Sequence, residues 1–173
     1  MSYSAEGAFT VKYKINYSKY EWLKKITLKN LGISNLYNLR DRFEGQAYLE
    51  RFLVRSYGEL ALEKYLNRPI IDLDQKENNK DYFPAFSCGD KKIALFSFTA
   101  GEYPKINRDN FDIGVFVLVN LDYRTSEILG FLNFSLLLQL ADNKRLSPLQ
   151  GKMYLGEFKD FDQLIPINEI SLQ

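Results

Sequence analysis

The sequence predicts an α/β (α+β) domain with a mixed central sheet and flanking helices, and three observations carry that prediction. Residues Phe9 to Tyr17 alternate strictly, with Phe9, Val11, Tyr13, Ile15 and Tyr17 against Thr10, Lys12, Lys14 and Asn16. A period of two is that of a half-buried strand with its lysines turned outward. The next fifty residues carry apolar side chains at helical spacing, broken at Gly32. Beyond Pro69 short β-branched and aromatic runs take over, and Ile113–Asn120 is continuously apolar, as a central strand covered on both faces must be.

The helices come first. Ser18 with Glu21 makes a capping box for a helix bearing Trp22, Leu23, Ile26 and Leu31, with Gly32 as its C-terminal stop. Ser34 opens a second helix through Leu36, Leu39, Phe43 and Ala47. Ser56 and Glu59 form another capping box, so that helix is expected to restart near Tyr57. It should end at Asn67, because Pro69 disfavours helix at the residue before it. The helix–Gly–helix stretch from Lys24 to Phe43 has the outline of a helix-turn-helix DNA reader. Asn38 and Asp41, however, stand where that motif needs apolar core residues.

Strands follow. Pro69–Leu73 is short, apolar and β-branched. Tyr82–Cys88 and Lys92–Phe98 flank the turn residues Gly89-Asp90 and read as a hairpin. Ile128–Leu132 is a further strand, Ser135–Ala141 a short apolar helix, and Gly151 to Ile167 loop and edge strand. The chain thus divides into an N-terminal strand with a helical extension, residues 1–55, and an α/β core, residues 56–173, expected to form one compact unit.

Composition excludes several chemistries. There is no histidine and a single cysteine, Cys88, so Ser-His-Asp, Cys-His and histidine–zinc mechanisms are impossible and no internal disulfide can form. Carboxylates with Mg²⁺, lysine, tyrosine or no catalysis at all remain. No apolar run approaches the roughly 20 residues of a membrane span. The first residues lack the charged-then-apolar order of a signal peptide, so a cytoplasmic protein with no membrane partner is expected. Charge is uneven: residues 1–55 hold ten Lys/Arg against five Asp/Glu, whereas residues 56–173 hold thirteen against seventeen. Lys12, Lys14, Lys24 and Lys25, interleaved with Tyr13, Tyr17, Tyr20 and Trp22, are the candidate nucleic-acid-binding residues; a solvated face is the plainer reading.

Several phrases together resemble the PD-(D/E)XK (restriction-endonuclease-like) nuclease superfamily over about residues 56–167. Gly58-Glu59-Leu60-Ala61-Leu62-Glu63-Lys64-Tyr65-Leu66 is similar to its first core helix, which often supplies an acid. The Tyr82–Phe98 hairpin is similar to the one carrying the signature. Phe116-Val117-Leu118-Val119 and Ile128-Leu129-Gly130-Phe131 are similar to the next two strands. The resemblance implies a restriction-endonuclease-like core and Mg²⁺ chemistry, in which two carboxylates hold the metal and a lysine two residues along one strand face assists. Here the positions for acid and lysine hold Ala94 and Phe96, which can do neither.

Candidate replacements are Glu59, Asp81 and Asp90 as metal ligands, with Lys92 on the strand face of Ala94, as a catalytic set. Asp90 reads equally as a turn residue, Asp81 as a strand-edge residue and Glu59 as a helix-capping residue. A literal acid-x-lysine, Asp74-Gln75-Lys76, follows a helix rather than a hairpin strand and so stands in the wrong order. Three functions stay open. The first is a catalytically inactive nuclease-like domain binding nucleic acid or a protein partner. The second is a Mg²⁺-dependent DNA endonuclease with migrated catalytic residues, and the third a self-assembling structural protein. A groove lined by Lys and Arg favours the first, and clustered carboxylates the second.

Overall fold

The computed structural model describes residue 3 and residues 7–32, 43–148 and 156–170. The Ser34 cap, Leu36, Leu39 and the second half of the helix-turn-helix outline lie outside these residues. Strand β1 (Val11–Lys14) leads into helix α1 (Tyr17–Leu31), followed by the long helix α2 (Phe43–Leu66) and the short helix α3 (Leu73–Asn78). Strands β2 (Phe86–Cys88), β3 (Lys91–Thr99), β4 (Lys105–Ile106), β5 (Ile113–Asn120) and β6 (Thr125–Asn133) come next, then helix α4 (Phe134–Asp142) and strand β7 (Gly156–Glu157). Among the described residues these make a mixed α+β structure. Its five-stranded sheet runs in the order β1-β6-β5-β3-β2, and β4 pairs separately with β7.

The expected hairpin is present: β2 and β3 pair antiparallel across Gly89-Asp90, with Phe86 opposite Ile93. Its first strand is shorter than the apolar run implied, beginning at Phe86. The all-apolar β5 lies in the middle, parallel to β3 and antiparallel to β6. A bulge opposite Phe116 and Val117 shifts the register of β6, so that Ile128 and Phe131 face one core while Leu129 and Leu132 face the other.

Two apolar layers cover the sheet. On one face α1 and α2 pack Leu23, Ile26, Phe52, Leu53, Tyr57 and Leu62 against Ile93, Leu95, Val115 and Val117. On the other, Ala94, Phe96 and Phe98 join Phe111, Phe116, Leu137, Phe158 and Phe161. Ala94 and Phe96 are 3% and 4% exposed, so these positions do fill the interior with apolar atoms. Their face is the one turned away from α2. β1 belongs to the same sheet as the rest, and α2 runs unbroken across residues 55 and 56.

Several local expectations are corrected. Helix α1 is capped by Asn16, whose Oδ1 accepts from Lys19 N at 2.7 Å, rather than by Ser18. That cap also ends β1 early, at Lys14. Gly32 stops α1 as expected, in the left-handed region at φ 66°, with its N–H on the carbonyls of Leu28 and Lys29. No restart occurs near Tyr57, because burial of Ser56, Tyr57 and Glu59 holds the helix continuous past that capping sequence. Pro69–Leu73 is not a strand: Asp72 instead caps α3, its carboxylate accepting from Gln75 N at 3.0 Å.

Gly58 lies where α2 crosses β3. A Cβ there would collide with the Ser97 Oγ and press on Leu95, so only glycine lets the helix come this close.

Candidate nucleic-acid interface

The β1–α1 junction and the C-terminal end of α2 enclose an open groove of about 490 Å³. β1 contributes Tyr13 and Lys14, the start of α1 contributes Asn16 and Lys19, and the end of α2 contributes Lys64, with Arg68 just beyond it. The local causes are legible. Alternation along β1 leaves Lys12 and Lys14 exposed while Val11 and Tyr13 are half-buried. Lys64 lies in the last turn of α2 and Arg68 just beyond its end, where the helix dipole favours cations.

Four cations therefore line the groove, against one carboxylate, Glu63. That carboxylate is already committed: its Oε2 accepts from Ile70 N at 2.8 Å and Ile71 N at 2.6 Å, which fixes the chain leaving α2. The cations rest on rings and carbonyls instead of acids. Lys64 Nζ lies 5.2 Å from the centre of the Tyr13 ring and Lys19 Nζ 5.0 Å from that of Trp22, and Arg68 donates to the Ser87 carbonyl. Among the described residues none of the four is ion-paired to a carboxylate within 4.0 Å. An anion entering the groove thus meets positive charge that no carboxylate among the described residues pairs with.

Tyr17 stands directly after the groove's β1 wall with its ring 61% exposed. The Arg124 guanidinium lies 5.3 Å from that ring, brought there by the β5–β6 turn, whose Arg124 carbonyl accepts from Ile15 N. Hydrogen bonding to Glu21 raises the Tyr17 phenol above its ordinary pKa. Of the four lysines named from sequence, Lys14 lines the groove. Lys12 is exposed on the same strand face two residues away, and Lys25 is exposed on α1. Lys24 is paired to Glu21 at 2.9 Å, and that pairing raises its pKa. Lys19, Lys64 and Arg68 were not singled out by sequence. Lys19 lies just after β1 at the start of α1, whereas Lys64 and Arg68 come from the distant end of α2, and only the fold brings that end to the β1–α1 junction.

The proposed catalytic residues lie elsewhere. Glu59 is buried on α2, with Oε2 2.7 Å from Lys76 Nζ and Oε1 3.3 Å from Arg55 Nε. Lys76, the lysine of the Asp74-Gln75-Lys76 triplet, is the buried residue of α3. Burial there pushes its ammonium below the ordinary lysine pKa, and the charge of Glu59 opposes the shift. Phe52 lies beneath Lys76 and Arg55, at 5.2 and 5.5 Å, and the exposed Phe83 covers Arg55 at 4.5 Å. Asp81 is exposed in the α3–β2 connection and Asp90 in the β2–β3 turn. Lys92 is exposed at the start of β3, its N–H held by Asp112 at 2.7 Å.

The described residues gather no group of three or more His, Cys, Asp or Glu able to hold a metal ion. As the side chains stand, Glu59, Asp81 and Asp90 do not form a donor set for Mg²⁺: the Glu59 oxygens are turned to cations that already balance them. No helix among the described residues is long and apolar enough to cross a membrane. Comparison with known proteins finds no matching family model, no similar curated protein and no similar solved structure.

Proposed function

We propose that this protein is a nuclease-like domain without cleavage activity that binds nucleic acid along the groove of Lys14, Lys19, Lys64 and Arg68. The observation that carries the reading is the excess of four cations over one already-bonded carboxylate in a single concavity. Phosphates are the ligands that such a site selects by charge alone, through release of their condensed counterions. The nuclease-like part of the reading rests on the sequence resemblance. Its loss of activity rests on Ala94 and Phe96, buried in apolar surroundings where acid and lysine would be needed.

The test is equilibrium binding of a fluorescent oligonucleotide at a series of salt concentrations. Affinity should fall steeply with salt, with a log–log slope of about −3 if all four cations neutralise phosphates. Replacing Lys14 and Lys64 together by alanine should flatten that slope. Binding that ignores salt, or no binding at all, would remove the proposal.

A further inference from the structure

The groove's surroundings carry information about which form of nucleic acid enters it. Its cations line a concavity of about 490 Å³, the size of a site for a nucleotide-scale ligand. A duplex is read the other way round, by a helix or ribbon that protrudes into a groove about 12 Å wide. Next along the chain from the lining residue Asn16 stands a different kind of group. The Tyr17 ring is 61% exposed and Tyr123, on the β5–β6 turn, is 72% exposed. Next to Tyr123 on that turn, Arg124 lays its guanidinium 5.3 Å from the Tyr17 ring. Tyr17 directly follows Asn16, which lines the groove, and Arg124 is held at Ile15, which also lines it; a planar, unpaired base stacks on such an exposed ring and on guanidinium planes.

We infer that the groove takes a single strand, its phosphates on Lys14, Lys19, Lys64 and Arg68 and a base stacked at Tyr17 and Arg124. The inference rests on the nucleic-acid reading above. Acids are near the mouth, Glu21 beside Tyr17 and Asp122 next to Tyr123, and they disfavour a second phosphate backbone there. They do not oppose the neutral base of a single strand whose backbone stays in the groove. A base has an aromatic face whatever its identity, so recognition on this platform is tolerant of sequence.

The experiment measures anisotropy of the full chain with labelled oligo-dT, oligo-rU and a duplex of equal length, at low and moderate salt. Single strands should bind at least tenfold more tightly than the duplex. Tyr17→Ala should weaken single-strand binding on the order of tenfold with the salt slope unchanged. Tyr17→Trp, which keeps a stacking surface, should retain affinity. Lys14→Ala with Lys64→Ala should instead lower the slope by about 1.4. The exposed position of Tyr17 lets its variants fold, which circular dichroism checks. Equal affinity for duplex and single strand, or a neutral Tyr17→Ala, would overturn the single-strand inference while leaving the nucleic-acid reading in place. If no oligonucleotide binds in a salt-dependent way, the reading beneath it fails first. The dT and rU arms separate DNA from RNA as the occupant.

Discussion

Lys76 and Glu59 form an ion pair at 2.7 Å with both side chains almost fully buried, 2% and 4% exposed. The pair docks the six-residue helix α3 against α2, and it occupies the acid expected from the sequence to hold a metal. Such a pair is costly to break from one side, because the remaining charge stays buried. The two sides are not equivalent here. Glu59 keeps Arg55 at 3.3 Å when Lys76 is removed, whereas no second acid is paired with Lys76 among the described residues. Glu59→Gln should therefore destabilise by about 3 kcal/mol and Lys76→Met by less, about 2 kcal/mol. The apolar double replacement Glu59→Leu with Lys76→Met should lie closer to wild type than either. Urea unfolding measures all three, and additive losses in the double variant would contradict the pairing.

Gly58 and Ser97 make the second testable contact. A methyl group at residue 58 would strike the Ser97 side chain, while helix propensity favours alanine by about 1 kcal/mol. Overpacking should win, and Gly58→Ala should cost about 1–2 kcal/mol net. The Ser97 Oγ is buried without a hydrogen-bond partner, so Ser97→Gly removes both the obstacle and an unsatisfied polar atom. In the Ser97→Gly background, Gly58→Ala should become neutral or stabilising. Thermal unfolding of the four combinations gives the coupling; independent effects would mean that α2 does not rest on β3 at this point.

How much of this was legible in the sequence depends on the range of the interactions. Gly32 and the Gly89-Asp90 hairpin were readable because their signals act within a few residues. The full span of β5 was readable because burial on both faces leaves a continuous apolar run. The Ser56–Glu59 capping pattern misled for the opposite reason: tertiary packing of Tyr57 and pairing of Glu59 with Lys76 outweigh a local capping preference. Asp72 was a readable N-cap, but the β-branched Ile70 and Ile71 beside it suggested a strand. Their amides turn out to serve Glu63 rather than a ladder. Lys14 was visible as a lysine on an alternating strand. Lys64 and Arg68, its partners in the groove, were not, because only the fold brings the end of α2 to the β1–α1 junction.

Tyr57 supplies a pH dependence. It is fully buried, its hydroxyl has no hydrogen-bond partner, and burial pushes its phenol up to about 12. The unfolded chain ionises this tyrosine near pH 10, while the folded protein holds the proton. The stabilising contribution is complete below pH 10 and is lost as pH rises towards 12, by up to about 3 kcal/mol. Tyr57→Phe should remove this part of the alkaline loss and, by deleting an unsatisfied hydroxyl, leave stability at neutral pH unchanged or raised. Unfolding curves at pH 8, 10 and 11 for both proteins decide it. Parallel decline of the two would assign the alkaline transition to other groups.

A metal-dependent nuclease needs carboxylates converging on one ion, with a cation placed to stabilise charge on the phosphoryl group. Glu59 is held by Lys76 and Arg55 on the α2 side of the sheet, whereas residues 94 and 96 point into the opposite apolar layer. Restoring an acid at 94 and a lysine at 96 would therefore place them on the other face from Glu59, and would bury charge among Phe111, Phe116 and Phe158. We expect no plasmid nicking with Mg²⁺ or Mn²⁺ by the wild-type chain. Ala94→Asp with Phe96→Lys should lower stability by several kcal/mol without producing activity. Binding by the groove should survive Glu59→Gln wherever the fold survives, because Glu59 does not line it. Nicking that depends on added metal and disappears with Glu59→Gln or Asp81→Ala would show instead that these carboxylates regroup around an ion, and would make the protein an enzyme.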